Sequence, residues 1–453
     1  MRRSPVNGLR APRSSAGALL ALAASLMLGV PSANAQPLPQ FAKDKHLGVP
    51  TCSGSTCHGA TKPFKDSPVL QNEFVTWHKE DPHSNAYKVL LEDDSKRIAR
   101  NLGLKEPAHK ADICLDCHAD NVPASKRGNR FQMADGVNCE ACHGGAERWL
   151  GPHIAENDHK KNVELGLYPT EDPMARAELC LSCHFGTKDK FVTHRIMGAG
   201  HPRMSFELDT FTATQPAHYE VDKDYRKRKN VWSGVQTWAI GQTIAANMFL
   251  ETLADPKMHK SGIFPELVFF DCHACHHKMK DKRWVPGKSS GMGPGVVRLN
   301  DANLLMLEHI AKRTNPDLAN QLGIAVKALH RATGKGMDQV GAAAKSLISI
   351  NKQIAKAVNG KRFSDDDMKA IIGGLLADAT KGEYQDFSDA EQAYMAVQAV
   401  LVALENSGGI SAKSAEGAYD ALDGVFKSLE DDEDFKPNVF RDKMKLVQSR
   451  VGL

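Results

Sequence analysis

Several features expected of an ordinary globular chain of 453 residues are missing from this one. From Gln36 to about Trp284 there is no sustained two-residue alternation of apolar and polar side chains, which excludes a substantial sheet, and the helical periods there are short, broken by Gly, Pro and charged loops. After the first 35 residues no apolar run reaches the length that a bilayer crossing requires, so an integral membrane span is excluded from the remainder. An excess of either charge is also missing. Residues 1–35 carry four arginines and no acid, so beyond Ala35 54 Lys and Arg face 54 Asp and Glu. That balance argues against nucleic acid as a partner. No cysteine is left over once the cysteines are grouped, and this absence points to what is there.

All 10 cysteines fall into five units, each closed by a histidine directly after the second thiol. Four are C-x-x-C-H: Cys114, Cys117, His118; Cys139, Cys142, His143; Cys180, Cys183, His184; and Cys272, Cys275, His276. The first unit, Cys52, Cys57, His58, has four residues between its thiols. In such a unit the thiols form thioethers with the two haem vinyl groups, and the adjacent histidine sits under the iron as proximal ligand. At these Cys and His frequencies, about one hundredth of such a motif would arise by chance. Disulfides and zinc sites are the alternatives for an even cysteine count with C-x-x-C spacing. Neither explains a histidine after every second cysteine. The expectation is covalent haem c at five sites.

Residues Met1 to Ala35 read as a secretory signal. Arg2, Arg3, Arg10 and Arg13 precede an apolar run through Leu19, Leu20, Leu26 and Leu28 that ends in Ala33-Asn34-Ala35, with cleavage expected after Ala35. An uncleaved N-terminal anchor is the alternative. Export fits haem attachment, which needs reduced thiols and haem to meet outside the cytoplasm, in a bacterium the periplasm. With five haems the holoprotein would be about 5 to 10 charges negative. Docking patches are then local, and Arg226-Lys227-Arg228-Lys229 is one candidate against the plainer reading of a solvated charged face.

The expected organisation is mostly α: a signal peptide over 1–35, a pentahaem cytochrome c domain with little sheet over 36–290, and a helical domain over 291–453. The first region holds every cysteine and all but two of the 19 histidines. It is poor in periodic apolar pattern, so covalently held porphyrins must supply its core. Its clearest helix runs from Val231 to Leu253, with an apolar face expected to pack on the haem stack or on the next domain. Pro286 to Gly295, PGKSSGMGPG, marks the boundary. Beyond it helical periods dominate, with Leu304, Leu307 and Ala311 on one face and Val340, Ala344, Leu347, Ile354 and Val358 on another. Helix starts are expected at Asn315-Pro316, at Ser364 and in a capping box from Ser388 to Glu391, with stops at Gly334, Gly360 and Gly408. Five to seven antiparallel helices are expected there. His309 and His330 read as ordinary helix histidines rather than iron ligands.

Fourteen histidines lie outside the motifs, and a second imidazole on an iron closes it into an electron relay, whereas its absence leaves a face open to a small molecule. His153, ten residues after His143, is the best distal candidate. His83, in WHKEDPHSNAY, follows; His46, His194, His201 and His218 complete the set. His273 and His277 flank their own motif too tightly to reach its far face. Met197 and Met204 are poorer candidates than the abundant histidines.

The order of motifs from Gly48 to His184 resembles the tetrahaem cytochrome c554 family, electron carriers associated with hydroxylamine oxidation. The resemblance rests on a first haem motif, a Trp-to-His segment, C-x-x-C-H, then GVNCEACHGG with a trailing histidine, then a fourth motif. It implies that His153 and His83 are ligands, that His153 caps a neighbouring haem, and that the second haem, on His118, is the one without a distal histidine. The chain departs from the family in its longer first motif, its fifth motif in FFDCHACHHKM and its helical domain. The leading expectation is a multihaem electron carrier working with periplasmic or membrane-bound redox partner proteins. The alternative is an oxidoreductase acting on a small nitrogen or sulfur compound at one open haem.

Overall fold

Short stretches of helix-compatible sequence between Gly, Pro and charged loops give short helices, and the structure, a computed structural model, has them through its first half. It describes residues 36–65, 67, 69–155, 158–258, 266–278, 291–293 and 296–452. The expected signal peptide and most of the expected boundary at 286–295 lie outside the described residues. In order come α1 (Glu73–Glu80), α2 (Asp93–Leu102), α3 (Asp112–His118), α4 (Cys139–His143), α5 (Leu150–Ala155), α6 (His159–Glu164), α7 (Pro173–His184), α8 (His194–Gly198), α9 (Leu208–Thr214) and α10 (Lys223–Arg228). Single 3-10 turns link several of them. Among the described residues pairing between strands is limited to isolated bridges such as His46 with Arg127. The fold is mostly α, as expected.

The long helix α11 (Gly234–Ala254) begins where Ser233 accepts a hydrogen bond from the Gln236 backbone. Sixteen of its 21 residues are buried, so it does not have the single apolar face read from the sequence; it is apolar nearly all round because it is enclosed nearly all round. It packs on α7, which carries the fourth motif, on α9, and on the first, third and fifth of the helices that follow. The helices that follow are α12 (Ala302–Thr314), α13 (Pro316–Thr333), α14 (Met337–Asn359), α15 (Asp365–Lys381), α16 (Phe387–Ser407), α17 (Ala412–Phe426) and α18 (Pro437–Val451). Seven helices thus follow residue 300. Residues 36–453 form one compact unit.

The local signals explain most of these boundaries. Asn315 caps α13 with Pro316 in its first turn, and Ser364 and Asp367 form a reciprocal capping box at the start of α15. At α16 the cap is Asp386, which accepts from the Asp389 backbone, and not Ser388; the first turn starts two residues earlier than the sequence suggests. Leu304, Leu307 and Ala311 are buried, as are Val340, Ala344, Leu347, Ile354 and Val358. Each large side chain of this kind contributes about 1.5–3 kcal/mol by leaving water. His330 is fully buried with Nε2 2.8 Å from Asp301, and His309 sits between Asp378 (3.2 Å) and the Tyr384 hydroxyl (3.3 Å). Asp301, Asp386 and Asp389 converge as a metal site would, but Arg298 lies among all three and supplies the cation.

The apolar core is lopsided. One cluster runs from Ala177 and Leu181 of α7 through α11 to Val451. The rest of the motif-bearing region has only a small cluster of Leu90, Ala99, Ala108, Leu115 and Ala119.

Candidate haem-binding sites

The five motifs adopt different local structures that end in the same place. Three close helices: α3 ends on His118, α4 on His143 and α7 on His184. The fifth is one 3-10 turn, Cys272–Ala274, capped by Asp271, in which the His276 amide donates to the Cys272 carbonyl at 2.8 Å. In the first motif the two extra residues are taken up by a loop, and His58 again donates to the carbonyl of its first cysteine, Cys52, at 3.1 Å. The longer spacing therefore converges on the same closure. None of the ten cysteines is in a disulfide.

The third motif is the best buttressed. Asn138 caps it by accepting from the Glu140 and Ala141 amides (2.9 and 3.2 Å). Buried Glu140 accepts from Leu47 and Gly48 (both 2.7 Å) and from Ala146 (2.8 Å), tying the lead-in of the first motif to the third. The Gly-Gly pair that follows is required sterically: Gly144 has φ +79°, and a Cβ on Gly145 would stand 2.7 Å from the Asp44 and Lys45 carbonyl oxygens.

Each motif histidine faces a second imidazole. Ring centres lie 6.3 Å apart for His58 and His153, 6.3 Å for His118 and His201, 6.3 Å for His143 and His218, 5.9 Å for His184 and His83, and 6.0 Å for His276 and His194. An imidazole nitrogen binds a metal at about 2.0–2.1 Å, and the ring centre lies about 1.1 Å behind it, so two imidazoles on opposite faces of one metal have centres about 6.3 Å apart. Five of five pairs are within about 0.4 Å of that separation. The planes are nearly parallel for His58 and His153 (13°), intermediate for His276 and His194 (37°), and close to perpendicular for the other three (88°, 81° and 86°).

Hydrogen bonds at the other ring nitrogen support the same use. Nδ1 lies against Glu73 in His58 (3.0 Å), Asp81 in His83 (2.8 Å), and the carbonyls of Ala86 in His118 (3.0 Å), Leu150 in His153 (2.5 Å) and Pro202 in His201 (2.8 Å). A bond of this kind fixes the tautomer with Nε2 free to ligate. Burial holds His143 neutral, lowering its pKa to about 4, and lowers His118, His153, His184 and His218 too. Hydrogen bonds donated to the carboxylates of Glu73 and Asp81 instead raise His58 and His83, which makes them more basic ligands.

Five of the six distal candidates are thus brought opposite a motif histidine. His46 is not: it is fully buried with Nδ1 2.7 Å from Asp120. An imidazole also faces His118, where resemblance to the tetrahaem family implies an open iron. His153 stands opposite His58, not His143, as the family pattern implies. Glu73, Asp81 and Glu140 are the residues that sequence reading passed over. The signal for the first two is an acid close in sequence to a histidine, and for Glu140 its place inside a motif already singled out.

The motifs also lie beside one another. The Cys52 thiol meets that of Cys139, and Cys117 meets Cys183, whose sulfur accepts from Lys190 at 3.1 Å. Cys142 lies within electrostatic range of Cys180 and Cys183. Attachment points one and three, two and four, and three and four are therefore neighbours. The candidate patch at α10 is partly self-neutralised, with Arg228 paired to Asp224 and Lys229 over the Tyr225 ring at 5.2 Å.

Paired thiols with a following histidine, on a mostly helical scaffold whose own apolar core around the first three motifs is small, define a c-type cytochrome, a protein of electron transfer that binds haem c. More particularly, one stretch is similar to a known family: residues 51–144 match the family model described as cytochrome c554 and c-prime. The matched span takes in the first three motifs and ends one residue after His143. No curated protein and no solved structure matches the chain. Among the described residues no helix is long and apolar enough to cross a membrane.

Proposed function

We propose that the chain is an exported, periplasmic pentahaem cytochrome that passes electrons between redox partner proteins through closely spaced, bis-histidine haems. The observation that carries this reading is the set of five opposed imidazole pairs, one for each motif. Haem iron would supply the one-electron steps by cycling between ferric and ferrous states. The chain's own contribution is attachment and spacing. Cys52 and Cys57, Cys114 and Cys117, Cys139 and Cys142, Cys180 and Cys183, and Cys272 and Cys275 would hold the five groups. His58, His118, His143, His184 and His276 would ligate from one side, and His153, His201, His218, His83 and His194 from the other. Adjacent thiols of motifs one and three, three and four, and two and four make a connected series of sites. A second imidazole opposite each motif histidine favours relay over catalysis at an open iron.

Intact mass of the exported protein tests the count. The expected value is that of the chain from Gln36 plus five haems. A mass corresponding to four, with Cys52 and Cys57 unmodified, would remove the longer first motif from the relay.

A further inference from the structure

The junction of the second and fourth motifs holds a positive charge that haem attachment does not require. Helix α7 ends on His184, and the chain then turns back on itself: the Thr187 amide donates to the Lys190 carbonyl (2.7 Å) and the Lys190 amide to the Thr187 carbonyl (3.2 Å). Gly186 permits the turn, because its φ is +108° and a Cβ there would stand 2.8 Å from both the Lys190 carbonyl oxygen and the Phe191 ring. Phe191, its ring 6.2 Å from that of Phe185 and 5.8 Å from that of Phe269, ties the far side of the turn to the apolar core. The turn returns Lys190 to the motifs. Its Nζ donates to the Asp116 carbonyl, between the two thiols of the second motif, at 3.0 Å, and to Sγ of Cys183 in the fourth at 3.1 Å. Cys117, whose thiol meets that of Cys183, lies within electrostatic range of the same ammonium. Among the described residues no carboxylate pairs with Lys190, and that of Asp116 accepts from Asn121 at 2.7 Å instead. Lys190 is partly buried and Lys188 is exposed, so of the two charges on this turn the one at the motifs is the less screened.

We infer that Lys190 is a cation shared by the second and fourth haem sites, held where the attachment points of the two meet, and that it raises both reduction potentials together. The inference rests on the haem reading of those two motifs. Its contacts are compatible with attachment: a thioether sulfur keeps lone pairs and still accepts, weakly, from an ammonium, and the Asp116 carbonyl takes no part in the tether. Each site takes one electron from a reduced partner protein, ferric iron becoming ferrous with no bond made or broken. That electron removes one positive charge from the site, so an adjacent cation favours the reduced state, and one ammonium next to two tethers acts on both. The turn from Gly186 to Lys190, which lies outside residues 51–144, thereby serves a site inside that span as well as its own.

Charge removal at this one position sets the sign of the test. Full-length holoprotein carrying Lys190→Gln should keep the mass of five haems, and in a spectroelectrochemical titration two of its five midpoint potentials should fall. Lys190→Arg, which keeps the charge, should leave both close to wild type, and Lys188→Gln, the same change of charge on the exposed part of the turn, should move none. Lys190→Met, which keeps the stem without a polar end, gives the same reading where the Gln variant folds poorly. The two affected components should be those that His201→Ala and His83→Ala convert to high spin, because these imidazoles face His118 and His184. Five attached haems with all potentials unmoved, a shift matched by Lys188→Gln, or a shift confined to other components would overturn the inference and leave the pentahaem reading standing. A wild-type mass of four haems, with Cys114 and Cys117 or Cys180 and Cys183 unmodified, would overturn both.

Discussion

The motif-bearing region and the C-terminal bundle build their interiors from different materials. The bundle has regular helices with apolar stripes, and those stripes meet in one large cluster that takes in α11 and part of α7. Among the described residues around the first three motifs, five buried apolar side chains of small or medium size cluster with a few partly buried neighbours, and side chains such as Ile113 and Ile154 are exposed. Histidines and thiols instead converge in pairs there. The contrast is what the expectation of a porphyrin-filled core rests on, and that expectation can be tested.

The largest effect that would break this comparison comes from removing one group. Replacing Cys139 and Cys142 by Ala takes a whole macrocycle out of the motif region, a loss beyond the roughly 3–5 kcal/mol of a buried Phe→Ala change. The yield of soluble, protease-resistant protein should fall several-fold. Undiminished yield with four haems by mass would mean the region holds itself together unaided.

A second test sharpens the other side. The bundle should fold without haem, and with full stability only when α11 is in place, because that helix packs against α12, α14 and α16. A fragment of 231–453 with Cys272 and Cys275 replaced by Ala should be helical by circular dichroism and melt cooperatively. One starting at Leu299 should melt about 10 °C or more lower, the equivalent of losing about 3 kcal/mol. Equal melting points would detach α11 from the bundle's stability.

At a single site, His153→Ala should convert one low-spin haem to high-spin and shift its potential while the mass shows all haems attached. Unchanged spectra would remove His153 from the ligands.

The smallest effects are in pH dependence, and the two regions should differ in sign. Asp367, bound by Lys361, Ser364 and Arg313, has its pKa lowered from 3.8 to about 2 despite the opposing effect of burial. Its contribution of about 2 kcal/mol is present above pH 4 and is lost as pH falls through about 2. Asp367→Asn should flatten that acid limb. Burial, and then the charge of Asp209, raises Glu207 from 4.5 to about 7. The folded form there binds the extra proton, so stability declines as pH rises from 4.5 to 7 and is level above. Glu207→Gln should flatten that second slope in chemical melts, and a slope unchanged by the substitution would show that another group carries it.

Much of this was legible in the sequence because covalent haem attachment leaves a local signature. Each C-x-x-C-H unit is contiguous, and so are the caps and stripes of the bundle. The opposed imidazoles are not local: His201 meets His118 and His218 meets His143 from 83 and 75 residues away, and spacing carries no record of which ring faces which. His46 stands behind His83 among the candidates; both have a carboxylate at Nδ1, and what separates them is that, among the ring contacts of the described residues, His46 faces no motif histidine. Helix α11 reads from the sequence as carrying one apolar face, and nothing local shows that its Gln236, Thr237, Gln242 and Thr243, spread round the helix, are buried. In the fold they hydrogen-bond or pack inside, Gln242 to Gln392 and Asn303.

The most direct test of the central claim, that every motif histidine is matched by a second imidazole, is electron paramagnetic resonance of the fully oxidised holoprotein. Axial ligation fixes the spin state, and the angle between imidazole planes shapes the low-spin signal. The account predicts low-spin iron throughout, with three near-perpendicular pairs in a large-gmax envelope and the His58–His153 and His276–His194 pairs in more rhombic signals. A high-spin signal integrating to about one iron in five would contradict it and leave one motif histidine with an open face.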